Sequence, residues 1–220
     1  MNTHAFTFCG AELAALGSGA LWWAGERTLI VSDLHMGKSE RTARRGGTQL
    51  PPYETQETLS RLDADIEATR PDQVICLGDS FDDAAAADAL TEDEVLWLMR
   101  LQAGRGWVWI EGNHDPGPVG LGGQHLAELE AGPLVFRHIA TPAGRAEISG
   151  HYHPKATLSA RGRGITRPCF LIDGARLILP AYGAYTGGLR CTDPALATLM
   201  QPGALAILTG PTPRAIPMPR

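Results

Sequence analysis

Five short apolar runs, each stopping at a polar group that can bind a cation, constrain this chain more than any other feature. Thr28-Leu-Ile-Val-Ser leads into Asp33-Leu-His35, Val74-Ile-Cys-Leu into Gly78-Asp79, and Trp107-Val-Trp-Ile-Glu into Gly112-Asn-His-Asp115. Leu134-Val-Phe-Arg ends at His138, and Ala146-Glu-Ile-Ser ends in Gly150-His-Tyr-His153. Runs this short, bounded by Gly, Pro or Asp, read as strands and not helices. In layered α/β proteins ligands collect in the crevice beyond the strand ends, so the five sets of donors can converge on one site. Five of the seven histidines lie in these motifs, a clustering that caps and turns alone do not require. Asp33 and His35 are two apart, as are His151 and His153, so in extended backbone each pair would share a face.

The rest of the chain sets these runs in a frame. Further strands are expected at Ala20–Ala24, Cys169–Ile172, Arg176–Leu179 and Ala204–Leu208. Helical spacing of Leu59, Leu62 and Ile66 predicts a helix over Tyr53–Thr69. Val95, Leu98, Met99 and Leu101 predict another over Glu92–Leu101, behind an acidic opening that suits a helix N-terminus. Strand and helix alternate in the first half, and strands follow one another in the second. An α/β layered sandwich is expected, with two mixed β-sheets flanked by helices. Residues 37–50 and 154–167 read as loops. No repeat or linker divides the chain, and 220 residues with 44% hydrophobic side chains suffice for one domain over 1–220. The uncharged stretch Leu13–Gly25 is far below the ~20 residues of a membrane span. With Cys9, Cys76, Cys169 and Cys191 scattered and no C-x-x-C pair, the expectation is reduced thiols in a cytoplasmic protein with no membrane partner.

Carboxylate, carboxamide and imidazole donors with no thiolate nearby suit Mn²⁺, Fe²⁺, Zn²⁺ or Mg²⁺. Seven potential ligands exceed one tetrahedral ion, and a two-metal site with a shared carboxylate fits the number better.

The ordered set D-x-H, G-D-x-x-D, G-N-H-D, H and G-H-x-H resembles the calcineurin-like binuclear metallophosphoesterases from Asp33 to His153. Asp33-Leu-His-Met-Gly-Lys-Ser39, Gly150-His-Tyr-His-Pro154 and the later Leu179-Pro-Ala-Tyr-Gly-Ala-Tyr-Thr-Gly-Gly-Leu189 are similar to its DNA-ligase-associated branch, described as DNA damage response endonucleases. The resemblance implies that Asp33, His35 and His153 hold one metal, with Asp79 bridging to a second held also by Asn113, His138 and His151. His125 competes with His138 for the last place. The implied activity is a phosphodiesterase acting as a DNA endonuclease in repair. Two divalent ions, manganese preferred and iron, zinc or cobalt possible, activate a bridging hydroxide for in-line attack, and His114 protonates the leaving oxygen. Asp82 stands where related enzymes orient that histidine, with Asp115 the alternative. A functional link to DNA ligase, helicase and exonuclease is implied too. The same metal centre would serve a small-molecule nucleotide phosphodiesterase or pyrophosphatase. A non-catalytic scaffold is the remaining alternative, against which stands the complete ligand set.

One departure is informative. Phosphatase members read G-D-x-x-D-R, with the arginine on a terminal phosphate dianion, whereas here Asp83 follows Asp82. An acid there would repel a monoester dianion more than a diester monoanion.

Net charge is −5, which excludes a uniformly basic nucleic-acid coat. Its distribution is uneven. Residues 54–94 hold 13 acids against two bases, whereas Lys38, Arg41, Arg44 and Arg45 crowd the stretch after His35, and Lys155, Arg161, Arg163 and Arg167 follow His153. Lys38 and Lys155, the only lysines, each sit within three positions of a candidate ligand. Lys38, Arg41, Arg44, Arg45 and Lys155 are therefore candidate contacts to a DNA backbone. With no duplex-gripping module visible, single-stranded or flexible DNA is the expected substrate, read with little sequence preference.

Overall fold

The computed structural model describes residues 2–47, 51–117, 120–160 and 163–220, with side chains outside 159–163. One sheet is built in chain order from β1 (Thr3–Phe8), β2 (Ala11–Leu16), β3 (Leu21–Trp23), β4 (Thr28–Val31), β5 (Gln73–Leu77), β6 (Gly106–Ile110) and β7 (Gln124–Leu126). Strands β1 to β4 meander antiparallel, and β4 to β7 run parallel. Parallel neighbours need crossovers. These carry α1 (Lys38–Arg44) and α2 (Glu54–Thr69), then α3 (Ala84–Asp88) and α4 (Glu92–Gln102).

The second sheet takes β8 (Glu128–Ala131), β9 (Leu134–Arg137), β10 (Glu147–Ser149), β11 (Lys155–Ala160), β12 (Arg163–Ile172), β13 (Arg176–Ile178), β14 (Leu205–Leu208) and β15 (Arg214–Pro217). Its order is β15-β14-β12-β13-β10-β9-β8, with β11 paired antiparallel to β12. Here β9, β10 and β13 are parallel and the remaining pairs antiparallel. Helix α5 (Pro194–Leu199) covers its outer face. The architecture is the expected pair of mixed sheets flanked by helices.

Alternation along the strands sorts side chains into layers. Ile30, Ile75, Leu77, Val108 and Ile110 of the first sheet meet Phe136, Ile148, Phe170, Leu177 and Ile207 of the second between the sheets. Leu29, Val31, Val74 and Cys76 face the other way, onto Leu59, Leu62 and Ile66 of α2 and Leu98 and Leu101 of α4. Strands buried on both faces read as unbroken apolar runs, which is why β4, β5 and β6 were legible. Helix α4 is defined by a capping box in which the Thr91 hydroxyl accepts from the Glu94 amide and the Glu94 carboxylate accepts from the Thr91 amide. Such a box contributes about 1 kcal/mol.

Two segments read as loops are not loops. Residues 38–44 form helix α1, which buries none of its side chains and is held instead from outside. The Gly37 amide donates to Thr55 Oγ1 at 3.0 Å, and the Ser39 amide to buried Glu54 at 2.8 Å. Residues 155–160 and 163–172 are the antiparallel strands β11 and β12; Arg161 and the side chain of Arg163 lie outside the described residues. The β1–β2 hairpin also escaped the sequence reading, because Ala-Glu-Leu-Ala-Ala-Leu is composed mostly of helix formers. All four cysteines are free. Among the described residues no helix is long and apolar enough to cross a membrane.

Candidate metal centre

The carboxyl ends of β4, β5 and β6 from one sheet and of β9 and β10 from the other meet at a single cluster. Five of its residues are not in extended backbone. Asp33, His35, Asp79, His151 and His153 have φ of +53°, +46°, +47°, +71° and +46°, so half of the ten described non-glycine residues in left-handed backbone are candidate ligands. Asp33 and His35 do share a site, but through alternating left-handed turns and not through a continued strand. Each such residue costs on the order of 1 kcal/mol, a strain that surrounding hydrogen bonds must offset. Motif glycines make room for it. A Cβ on Gly78 would strike the His138 ring, and one on Gly150 would strike Ser32 and the Asp33 carboxylate.

Asp33 is fully buried and accepts from the His151 amide at 3.0 Å and the Ser32 hydroxyl at 2.6 Å. Its Oδ1 lies 3.1 Å from His153 Nε2, which is 3.4 Å from His35 Nε2. Asp33, His35 and His153 thus form one group able to hold an ion. The Asp82 carboxylate, 3.0 Å from His35 Nδ1, favours the ring proton there and leaves Nε2 as a lone pair aimed at the group.

Asp79, His138 and His151 form a second group. His138 Nδ1 donates to the Leu77 carbonyl at 2.8 Å. Its Nε2 then faces Asp79 Oδ2 at 3.3 Å, His151 Nδ1 at 3.3 Å and Asn113 Oδ1 at 3.0 Å. Four atoms able to donate a lone pair converge with no lysine or arginine among them, which is what a divalent ion requires of its ligands. Asp79 Oδ2 is also 4.0 Å from His35 Nε2, so its carboxylate reaches both groups. His125 is elsewhere, on β7 and stacked on Trp109.

The electrostatics show the same demand for positive charge. Burial alone would raise Asp79, but the hydrogen bond and charge of His138, with the His114 amide, hold it at about 2. Asp33 is likewise opposed by burial and held below the usual carboxylate range, chiefly by His153. Burial pulls His138 down, yet Asp79 and Asp33 push it above its ordinary value. His151 goes the other way, lowered by burial and by the charge of His138.

His114 is half-buried above this cluster, its Nε2 3.9 Å from Asp79 Oδ2. Its Nδ1 donates to the main-chain carbonyl of Asp82 at 2.8 Å. Asp82 therefore meets His114 through its backbone, while its carboxylate serves His35 and Arg41 at 3.0 and 2.7 Å. The link from Asp82 to His114 thus runs through the Asp82 carbonyl and not its carboxylate. Asp115 makes no such contact with the His114 ring. Its carboxylate accepts from the amides of Asp79, Ser80, Phe81 and Gly112, which ties the second and third motifs together. Burial, with the charge of Asp79, pushes Asp115 up to about 6 against those donors.

Residues 26–172 match the family model for Calcineurin-like phosphoesterase. The chain is a calcineurin-like phosphoesterase. Among solved structures it is similar to the crystal structure of Pseudomonas putida nuclease MPE, with a TM-score of 0.77 and 32% identity over 97% of this chain and 100% of that one. The match is consistent with the DNA-ligase-associated branch. No curated protein sequence matches it. The phosphoesterase is a hydrolase of phosphoester bonds, and membership implies divalent metal ions, for which the two groups supply fitting donors.

The basic residues around the phosphoesterase site are more engaged than their spacing suggested. Arg41 bonds Asp82, and Arg44 bonds Glu40 and Asp83 at 3.0 Å each. Asp83 also lies 3.4 Å from Arg41 and 3.8 Å from Arg45, and its carboxylate caps α3. With three guanidinium groups around it, Asp83 is not a bare acid facing substrate, and the electrostatic argument against monoesters does not hold. Lys38 Nζ is 4.0 Å from Asp82, and Lys155 Nζ donates to the Thr186 carbonyl at 3.3 Å.

Proposed function

We propose that this phosphoesterase is a two-metal phosphodiesterase that cuts DNA endonucleolytically. Asp33, His35 and His153 would hold the first ion and Asn113, His138 and His151 the second, with the Asp79 carboxylate within reach of both groups. The observation that carries this reading is the convergence of lone pairs on His138 Nε2 and His35 Nε2, each ring turned inward by an acceptor behind it. When bound, such a metal pair acidifies a water towards neutral pH and neutralises charge on the phosphoryl oxygens. His114 acts on the leaving oxygen: with Nδ1–H committed to the Asp82 carbonyl, Nε2 is the atom that carries the transferable proton. Asp82 holds His35 and, through Arg41, links the metal ligands to the basic face of α1. Lys38, Arg44, Arg45 and Lys155 border the ligand loops where a phosphate backbone would lie.

DNA as substrate rests on the likeness to a protein described as a nuclease, together with those basic side chains. The preference for diesters rests on the same likeness. By the resemblance of the motifs the ions are manganese and the setting is cytoplasmic DNA repair beside ligase, helicase and exonuclease.

The test is metal-stripped protein reconstituted with single metals and assayed on bis-p-nitrophenyl phosphate, its monoester, and circular single-stranded and duplex DNA. The expected result is diester over monoester turnover and linearised circles, best with Mn²⁺. Monoester turnover equal to or above that of the diester overturns the diesterase reading. Diester turnover without any DNA cleavage would favour a small nucleotide as substrate. His114→Ala should lose activity on the poor leaving group of DNA far more than on p-nitrophenolate, which needs no proton.

A further inference from the structure

Two of the exposed large apolar side chains among the described residues are aromatic, and their segments bond to the ligand loops and to the start of α1. Tyr53 is 63% exposed and Tyr185 43%, and the other large exposed apolar side chains are aliphatic. Tyr185 lies in the turn after Leu179 that crosses the ligand loops. On one side of it the Gly183 amide donates to the Asp33 carbonyl, and the Ala184 amide to Thr58 Oγ1 of α2, both at 3.1 Å. On the other, the Thr186 carbonyl accepts from Lys155, two residues past His153, and the Leu189 amide donates to the Tyr152 carbonyl at 3.1 Å. The buried Tyr182 hydroxyl donates to Asp65 at 2.8 Å, and Arg61 donates to the Tyr182 carbonyl at 2.6 Å. The backbone about Tyr185 is thus anchored while its ring faces water.

Tyr185 also sits at φ +56°, a conformation bulky side chains adopt only at a cost. A glycine would adopt it freely, and a half-exposed ring returns little burial in exchange. Tyr53 precedes α2, whose Glu54 and Thr55 hold the first turn of α1 beside Lys38. It stands five residues from Thr58, the same side chain that anchors Ala184. Two exposed aromatic side chains thus stand on segments tied to the ligand loops and to the basic helix α1, an arrangement that suits unstacked bases on a backbone track.

We propose that Tyr185 and Tyr53 are stacking platforms that bind the bases of a single strand beside the scissile phosphodiester. This rests on the reading of the protein as a DNA nuclease, and it adds the residues that select an unpaired strand. Every base offers a π-face, so the selection is for strandedness and not for sequence.

The experiment uses the metal-loaded full chain as wild type, Tyr185→Ala, Tyr185→Phe, Tyr53→Ala and the double alanine variant. Each is assayed for KM and kcat on a single-stranded oligonucleotide, on an abasic oligonucleotide of equal length, and on bis-p-nitrophenyl phosphate. Rapid-mixing fluorescence of 2-aminopurine in the strand supplies the signature of stacking. Each alanine should raise KM for the single strand about tenfold, with weaker 2-aminopurine quenching, unchanged turnover of the small diester and unchanged KM for abasic DNA. Tyr185→Phe keeps the π-face and should behave as wild type. Wild-type KM for the single strand in both alanine variants overturns the stacking role, as does equal loss on all three substrates. Wild type that turns over the small diester but neither binds nor cuts any DNA overturns the nuclease reading and this inference together.

Discussion

The two ends of the parallel strands β4, β5 and β6 treat charge in opposite ways. At their amino ends an open cavity of about 830 Å³ is lined by Arg27, Asp63, Arg70, Asp72, Arg100 and Arg105, among other residues. There both aspartates are paired with arginine: Arg27 bonds Asp72 at 2.8 Å, and Arg100 bonds Asp63. At their carboxyl ends Asp33, Asp79 and four histidines crowd together with acceptor atoms facing one another, all but His138 in left-handed backbone and buried or half-buried. The first end is large, and arginines answer its aspartates. The second is strained and short of positive charge. Unbalanced buried charge, and not cavity volume, marks the place where this fold does chemistry.

If that contrast is right, substitutions at the carboxyl ends should cost activity, and those at the amino ends only a little stability. Asp79→Ala removes the carboxylate that reaches both groups, and diester turnover should fall about a thousandfold or more, since metal charge stabilisation is worth several kcal/mol. An unchanged circular dichroism spectrum with surviving turnover would break the two-metal reading. Removing the metal should come next. At a metal concentration a hundred times its Kd, the folded state gains about 2.7 kcal/mol, so chelation should lower Tm by roughly 5–10 °C for a chain of this size. Calorimetry of Asp33→Ala, in which chelation should change Tm much less, ties the shift to this end of the sheet.

Asp82→Ala should weaken metal affinity by about 10- to 100-fold, as loss of a carboxylate behind a ligating histidine does. Metal titration of bis-p-nitrophenyl phosphate turnover reads this directly, and Arg41→Ala should move the same curve by a smaller factor. Arg44→Ala, which touches only Glu40 and Asp83, should leave that curve in place. At the opposite end Asp63→Asn should cost less than about 1 kcal/mol and leave turnover unchanged. The Arg100 hydrogen bond, opposed by burial and helped by Trp97, holds Asp63 below its ordinary value of 3.8. Its contribution is therefore present above that pH and fades as pH falls through the lowered value. A Tm difference between variant and wild type that persists at low pH would contradict this.

Legibility followed how local each signal is. Strands β4, β5 and β6 could be read because burial on both faces writes an apolar run whose polar terminus is conspicuous, β9 and β10 by the histidine motifs that close them, and α4 because its cap is encoded within four residues. Helix α1 could not, because Lys-Ser-Glu-Arg-Thr-Ala-Arg has no apolar stripe and its supports, Glu54, Thr55 and Asp83, lie 10–45 positions away. The β1–β2 hairpin had one local signal that went unread, Cys9-Gly10, both at positive φ as a tight two-residue turn requires.

The sequence by itself determined which donors this protein has and that they come in strand-end groups, because those features depend on residue type and near spacing alone. Only the tertiary structure decided how they are used. It turned the ligands inward through left-handed backbone, set the Asp82 carboxylate behind His35 and not His114, spent Asp115 on the amides of another motif, and surrounded Asp83 with arginines. Each of those outcomes is a contact between residues distant along the chain, made where two sheets bring their strand ends together. The direction of a side chain at such a meeting is chosen by the neighbours it must satisfy and not by the residues beside it in sequence.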